Sequence, residues 1–139
     1  MTTLTYPNDL IRQVLEQTRT IAMVGASANW VRPSNFAMKY LQRKGYRVIP
    51  VNPISAGSVI HGEMCYASLG DIPIAFEMVD IFRRPEDAGA IVDEAIALID
   101  AKGVRTVWLQ LEVIDKAAAV RAEAAGLTAI MDRCPKIEF

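Results

Sequence analysis

The sequence predicts an α/β fold in which a doubly wound sheet of parallel strands is covered by helices on both faces. Short apolar runs recur as candidate strands, and between them lie stretches with apolar residues at helical spacing. The first run, Ile21-Ala22-Met23-Val24, breaks into the small-residue turn Gly25-Ala26-Ser27, and a helical pattern opens soon after at Arg32-Pro33-Ser34. A strand, a tight turn and a helix N-terminus in that order form an anion cradle. The unsatisfied N–H groups and the positive end of the helix dipole converge there.

The elements follow in order. Pro7-Asn8-Asp9 begins a short helix with Asn8 as N-cap and Leu10, Ile11, Val14 and Leu15 on one face. The first strand spans Thr20 to Val24. Ser34 caps the next helix, which runs through Lys44 with Phe36, Ala37, Tyr40 and Leu41 inward, and Gly45 stops it. The second strand, Tyr46 to Val51, ends at Asn52-Pro53. Pro50 lacks an N–H and so belongs near that strand's end or at a bulge. The stretch 54–74 shows turn signals but no clear period. Glu77 to Phe82 forms the third strand, and Pro85 opens a helix with Ala88, Ile91, Val92, Ala95, Leu98 and Ile99 on its inner face. Val104 to Leu109, Asp115 to Ala125 and Leu127 to Met131 complete the alternation as strand, helix and strand. Right-handed crossovers then give a Rossmann-like sheet of five parallel strands, order 3-2-1-4-5, with the switch point between the first and fourth strands. Ligands bind outside the carboxyl ends of such strands, at the switch point.

Bulk properties narrow the function. The 139 residues suit one domain, 1–139, with a sizeable core. With 52% hydrophobic and 22% charged residues and a net charge of −1, the chain reads as globular, with no global field to recruit nucleic acid. It holds no apolar run of about eighteen residues and no signal-peptide pattern, so no membrane association and a cytoplasmic location are expected. Cys65 and Cys134 are too few and too isolated for a disulfide framework or a zinc site.

The predicted strand ends gather the unusual residues: Gly25-Ala26-Ser27 with Arg32 and Ser34, then Asn52-Pro53, Arg83-Arg84-Pro85, Gln110, and Arg133-Cys134-Pro135-Lys136. Five basic residues on one edge of a slightly acidic protein suit a polyphosphate ligand. The two further glycines of the dinucleotide fingerprint are missing, and Asn52 stands where an acid would hold a ribose 2′-OH. Both departures disfavour NAD. A nucleotide with a ribose phosphate, NADP or coenzyme A, fits better.

The segments Val24-Gly25-Ala26-Ser27, Arg32-Pro33-Ser34, Gly45-Tyr46, Val48-Ile49-Pro50-Val51-Asn52-Pro53, Val79-Asp80-Ile81-Phe82-Arg83, Val107-Trp108-Leu109-Gln110 and Met131-Asp132-Arg133-Cys134 are spread over nearly the whole chain. In order and spacing they resemble the small single-domain CoA-binding proteins related to the N-terminal domain of the succinyl-CoA synthetase α subunit. The resemblance implies that Gly25, Ala26 and Ser27 meet phosphate and that Arg32 is a phosphate partner. Val51, Asn52 and Pro53 would flank the adenosine or upper pantetheine portion. Phe82, Arg83 and Arg84 would lie near the nucleotide, and Leu109 and Gln110 along the pantetheine arm of CoA or acyl-CoA. Leu111-Glu112-Val113 departs from the family, which has a glycine after the Leu-Gln pair.

Other residues carry two readings each. His61, the single histidine, is a surface loop residue or a base. Cys134, beside Arg133 and Lys136, is a packed cysteine or a lowered-pKa thiol facing a ligand thiol. Trp30 is a lid over the first loop or a contact for a ligand or partner. Asp80, inside a strand, needs a hydrogen-bond partner if buried. The sequence holds no paired carboxylates, Ser/His/Asp set or metal cluster, and it names no reaction. The expected function is a non-catalytic carrier, sensor or partner subunit. The alternative is a small NADP-dependent reductase or an acyl-CoA-processing enzyme, with Cys134, Tyr66 and His61 as proton donors. Self-association and completion by a separately encoded partner are both compatible with the chain.

Overall fold

The computed structural model describes residues 8–29, 32–110 and 115–131. In chain order the elements are α1 (Asn8–Gln17), β1 (Thr20–Val24), α2 (Pro33–Arg43), β2 (Arg47–Val51), β3 (Val59–Ile60), β4 (Glu63–Met64), β5 (Met78–Ile81), α3 (Pro85–Ala97), α4 (Ile99–Lys102), β6 (Thr106–Leu109), α5 (Lys116–Ala124) and β7 (Thr128–Ile130). Five strands form one parallel sheet, as the alternating pattern predicts, in the order β2-β1-β5-β6-β7.

That order corrects the expected 3-2-1-4-5. Counting only the five parallel strands, it reads 2-1-3-4-5, and the switch point lies between the first and third strands rather than the first and fourth. Pro50 explains why. Arg47 N donates to Arg19 O at 3.0 Å and Gly25 N to Val51 O at 2.8 Å, so alternate residues of β2 face β1 and Pro50 faces outward. A missing N–H is harmless on an outer edge and disruptive between two strands. The returning chain then occupies that edge: Tyr66 N donates to Pro50 O at 3.0 Å, and Asn52 N to Tyr66 O at 2.9 Å. The third strand therefore enters on the far side of β1, in the register Ile21↔Met78 to Val24↔Ile81. All four β5 residues are buried, whereas β2 begins at an exposed Arg47. The stretch without a clear period also holds the small antiparallel pair β3–β4.

Alternation splits the core into two clusters, one on each face. Ala22, Val24, Val79, Ile81, Val107 and Leu109 meet Ala88, Val92 and Ala95 of α3 and Ala118 and Ala122 of α5. Ile21, Met23, Met78 and Trp108 meet Ile11, Val14 and Leu15 of α1 and Ala37, Met38 and Leu41 of α2. On α2 the inner face is Ser34, Ala37, Met38 and Leu41, a clean helical spacing, while Phe36 is 54% exposed and Tyr40 half-buried. Ser34 is not the cap: Arg32 is the N-cap without a side-chain bond, and Pro33 takes the first helical position, where no N–H is needed. Asp115 does cap α5, accepting from Ala118 N at 3.0 Å. The helix expected to reach Ile99 breaks at Leu98, and α4 ends on Gly103 in the left-handed region. At the amino edge Glu77 Oε1 accepts from the N–H groups of Arg19 and Thr20, tying the start of β1 to β5.

Candidate functional site

The turn after β1 can exist only with glycine. Gly25 has φ +90°, and a Cβ there would lie 2.4 Å from the backbone oxygen of Phe82. The carboxyl ends of β1 and β5 thus touch backbone to backbone, and Phe82 N donates to Val24 O at 2.8 Å. Beside this contact a cleft of about 470 Å³ opens, lined by Gly25, Ser27, Arg32, Pro33, Ser34, Asn52, Ile54, Ser55, Phe82 and Arg83. Two arginines and no carboxylate stand in that lining, so its field is positive although the protein's net charge is −1.

Backbone donors complete the field. Ser27 Oγ accepts from Asn29 N at 3.0 Å, which leaves its hydroxyl hydrogen to donate elsewhere. Ser34 is buried in the first turn of α2, where Asn35 N and Phe36 N donate to Arg32 O and Ser34 N has no acceptor among the described residues. Asn52 extends from the end of β2 and donates to Ala26 O at 2.9 Å while accepting from Ile54 N at 3.0 Å. Asn52 therefore braces the loop and the wall of the cleft together.

A second cavity, about 300 Å³, lies on the α3 side and shares Gly25 and Arg83 with the first. Val24, Val51, Pro53, Ala67 and Ile91 give it apolar walls, and Glu86, Asp87 and Glu94 give it an acidic rim. Arg83 stands between the two cavities, 3.4 Å from Asp87 Oδ2. At the opposite, amino edge a smaller polar cavity of about 260 Å³ includes Gln17, Glu77, Arg105 and Thr128 in its lining.

Among the expected site residues, Gly25, Ser27, Arg32, Ser34, Asn52, Phe82 and Arg83 meet at the first cleft, and Val51 and Pro53 line the second. Others lie elsewhere. Arg84 turns to solvent and pairs with Glu86 and Asp87 at 3.5 and 3.2 Å, so it belongs to the exposed first turn of α3. Ala26 and Leu109 are buried among core residues. Gln110 is buried too, and its Nε2 donates to Asp80 Oδ1. The expected convergence of five cations therefore reduces to Arg32 and Arg83 among the described residues. Cys134, Arg133, Lys136, Trp30 and the 111–113 segment lie outside the described residues.

Asp80 is fully buried, and its Oδ2 has no partner among the described residues. Desolvation raises the carboxyl from its ordinary 3.8 to about 7, against the opposing pull of the Gln110 amide. It sits two residues before Phe82, on the strand face that carries Met78. Burial likewise raises the Cys65 thiol, whose Sγ lies 3.7 Å from Asn52 O. His61 is exposed in a left-handed turn, φ +46°, with Nε2 2.8 Å from Asn35 Oδ1. Ile54, Ser55 and Asn35 escaped the sequence reading. The three-residue helical turn Pro53–Ser55, capped by Asn52, places the first two, and a polar residue beside the apolar stripe of α2 is the available signal for the third.

Comparison with known proteins places the chain in a family. The chain is 32% identical to an uncharacterized Bacillus subtilis protein, YneT, over 91% of this chain and 90% of that one. The structure superposes on a hypothetical protein from Pyrococcus horikoshii with a TM-score of 0.88 and 36% identity, covering 99% of this chain and 93% of that chain. It also shares its fold with part of acetyl-coenzyme A synthetase 1 from Ca. Korarchaeum cryptofilum, at a TM-score of 0.68 and 22% identity over 88% of this chain and 27% of that one. The sequence profile described as CoA binding domain matches residues 19–139, so the chain belongs to the CoA binding domain family.

Proposed function

We propose that this protein holds CoA or acyl-CoA across the carboxyl ends of β1, β2 and β5, as a carrier, sensor or partner subunit rather than as a catalyst. The observation that carries the reading is the cleft at the β1/β5 switch point, with a glycine no other residue can replace, two arginines and no carboxylate. Its chemistry suits phosphate: a backbone loop approached without a Cβ, a helix N-terminus, and guanidinium groups able to bind oxyanions in pairs. The neighbouring cavity suits the adenosine or upper pantetheine portion, because Val51 and Pro53 offer apolar contact and the acidic rim accepts from an amino group. Asn52 in place of an acid leaves room for a phosphorylated ribose. The holding role is supported by the cleft's described lining, which offers arginines, hydroxyls and an amide but no carboxylate, imidazole or thiol.

Ligand that binds only the folded state raises the melting temperature by mass action. CoA should therefore stabilise the protein, dephospho-CoA less, and NADP little. No shift with saturating CoA beside a clear shift with NADP would overturn the reading in favour of a nicotinamide enzyme.

A further inference from the structure

The loop after β1 is held from behind by two side-chain amides on different elements, and this arrangement has a consequence for the anion it would meet. Asn52, after β2, donates to the carbonyl of Ala26 at 2.9 Å, and Asn35, on α2, donates to the carbonyl of Ser27 at 2.8 Å. In a trans peptide the N–H of the next residue points opposite to the captured carbonyl. Securing these two oxygens therefore fixes the N–H groups of Ser27 and Ala28, neither of which has an acceptor among the described residues. The Ser27 N–H is therefore turned away from Asn52, on a residue that lines the cleft together with Arg32 and Arg83.

Asn35 is itself oriented. A backbone carbonyl only accepts, so the NH₂ of Asn35 must face Ser27 and its Oδ1 must face His61. An amide oxygen also only accepts, so His61 Nε2 must carry the proton. Gln42 Nε2 donates to the backbone oxygen of His61 at 3.1 Å and anchors the same turn to α2. His61 occupies the left-handed region that disfavours a side chain, φ +46°, where glycine would be relaxed. A strained, exposed side chain that makes one directed bond to a buried asparagine serves that asparagine.

We propose that His61 and Asn35, together with Asn52, are positioning residues that aim the Ser27 and Ala28 amides at the ligand's phosphates. This rests on the CoA reading above. The surface β3–β4 turn is thereby part of the binding machinery although it touches no ligand, and the single histidine has a role other than proton transfer.

The test pairs calorimetric CoA titration with thermal melts. His61→Gly removes the ring and relieves the backbone, so the melting temperature should hold or rise while CoA binding weakens roughly three- to tenfold, the worth of one hydrogen bond. His61→Gln, whose amide N–H can stand in for Nε2–H, should recover most of that loss. Asn35→Asp, which sets a carboxylate against the Ser27 carbonyl, should weaken CoA more than tenfold, roughly, even when the protein is folded. Equal CoA affinity in the wild type and His61→Gly overturns the inference alone. Absence of CoA binding by the wild type overturns the CoA reading and this inference with it.

Discussion

The two faces of the sheet are built to different rules. On the α3/α5 side the buried cluster contains no fully buried polar side chain, and alanines at Ala88, Ala95, Ala118 and Ala122 bring the helices close to the strands and to each other. The six buried polar or charged residues among those described, Thr18, Ser34, Asn35, Asp80, Thr106 and Gln110, all belong to the α1/α2 side. The first face secures the fold by area and close packing. The second carries directed bonds that hold particular groups at the carboxyl edge, at some cost in desolvation. A change on the apolar face away from the carboxyl edge should therefore move stability alone, and a change on the polar face should move binding or pH response.

Phe76→Ala tests the apolar face. The ring is fully buried in the α3/α5 cluster, so its removal should cost about 3 to 5 kcal/mol in denaturant unfolding. CoA affinity of the remaining folded protein should stay within about twofold, since Phe76 precedes β5 at the amino edge and the site lies at the carboxyl edge. A large affinity loss at a temperature where the variant is folded would break the division.

Asp80 tests the polar face through pH. Its folded-state pKa is raised to about 7, so between its ordinary value of 3.8 and 7 the folded protein binds the extra proton. Stability contributed by the neutral acid is therefore full at low pH, falls as pH rises through that window, and levels above 7. Asp80→Asn keeps an acceptor for Gln110 and removes the titration, so it should be more stable than the wild type at pH 8 by roughly 3 kcal/mol, with the gap closing toward pH 4. Chemical unfolding at the two pH values checks this, and a constant gap would contradict it.

Gly25→Ala strikes the backbone contact that both faces share. The added methyl cannot avoid Phe82 O, and φ +90° strains alanine in any case. Unfolding should be easier by about 1 to 3 kcal/mol, and CoA should bind roughly ten- to a hundredfold more weakly, as the turn shifts out of register with the crevice. The smallest effect is expected at Arg84. Its ion pairs are solvent-exposed, so Arg84→Ala should leave melting temperature and CoA affinity unchanged, while Arg83→Ala, in the lining of both cavities, should weaken CoA about tenfold. Equal losses for the two arginines would blur the boundary drawn here between site and surface.

Much of this layout was legible in the residues. Apolar runs located the five strands, because a strand buried on both faces leaves a continuous signal, and Gly25-Ala26-Ser27 located the loop. The strand order was missed although Pro50 spelled it out: a proline inside a strand pattern marks an outer edge, and an outer β2 forces the third strand to the other side of β1. The family resemblance puts Gln110 on the pantetheine arm. Parity with the buried Trp108 shows that it turns inward, where Asp80 needed a donor. Arg84 was read as a ligand contact for want of any sequence signal that Glu86 and Asp87 would draw it to the helix turn. The β3–β4 pair has two residues per strand, too short for a period, and the His61 contact to Asn35 joins positions 26 residues apart. Pairings of that kind become visible only once the chain is folded.

Amide chemical-shift mapping, with CoA titrated into ¹⁵N-labelled protein, tests most directly whether CoA sits at the β1/β5 crevice. CoA bound there gives the largest shifts at Gly25, Ser27, Ala28, Asn52 and Arg83, with the amino-edge cavity around Gln17, Arg105 and Thr128 unmoved. Shifts confined to that amino edge, or no shifts under saturating CoA, would contradict it.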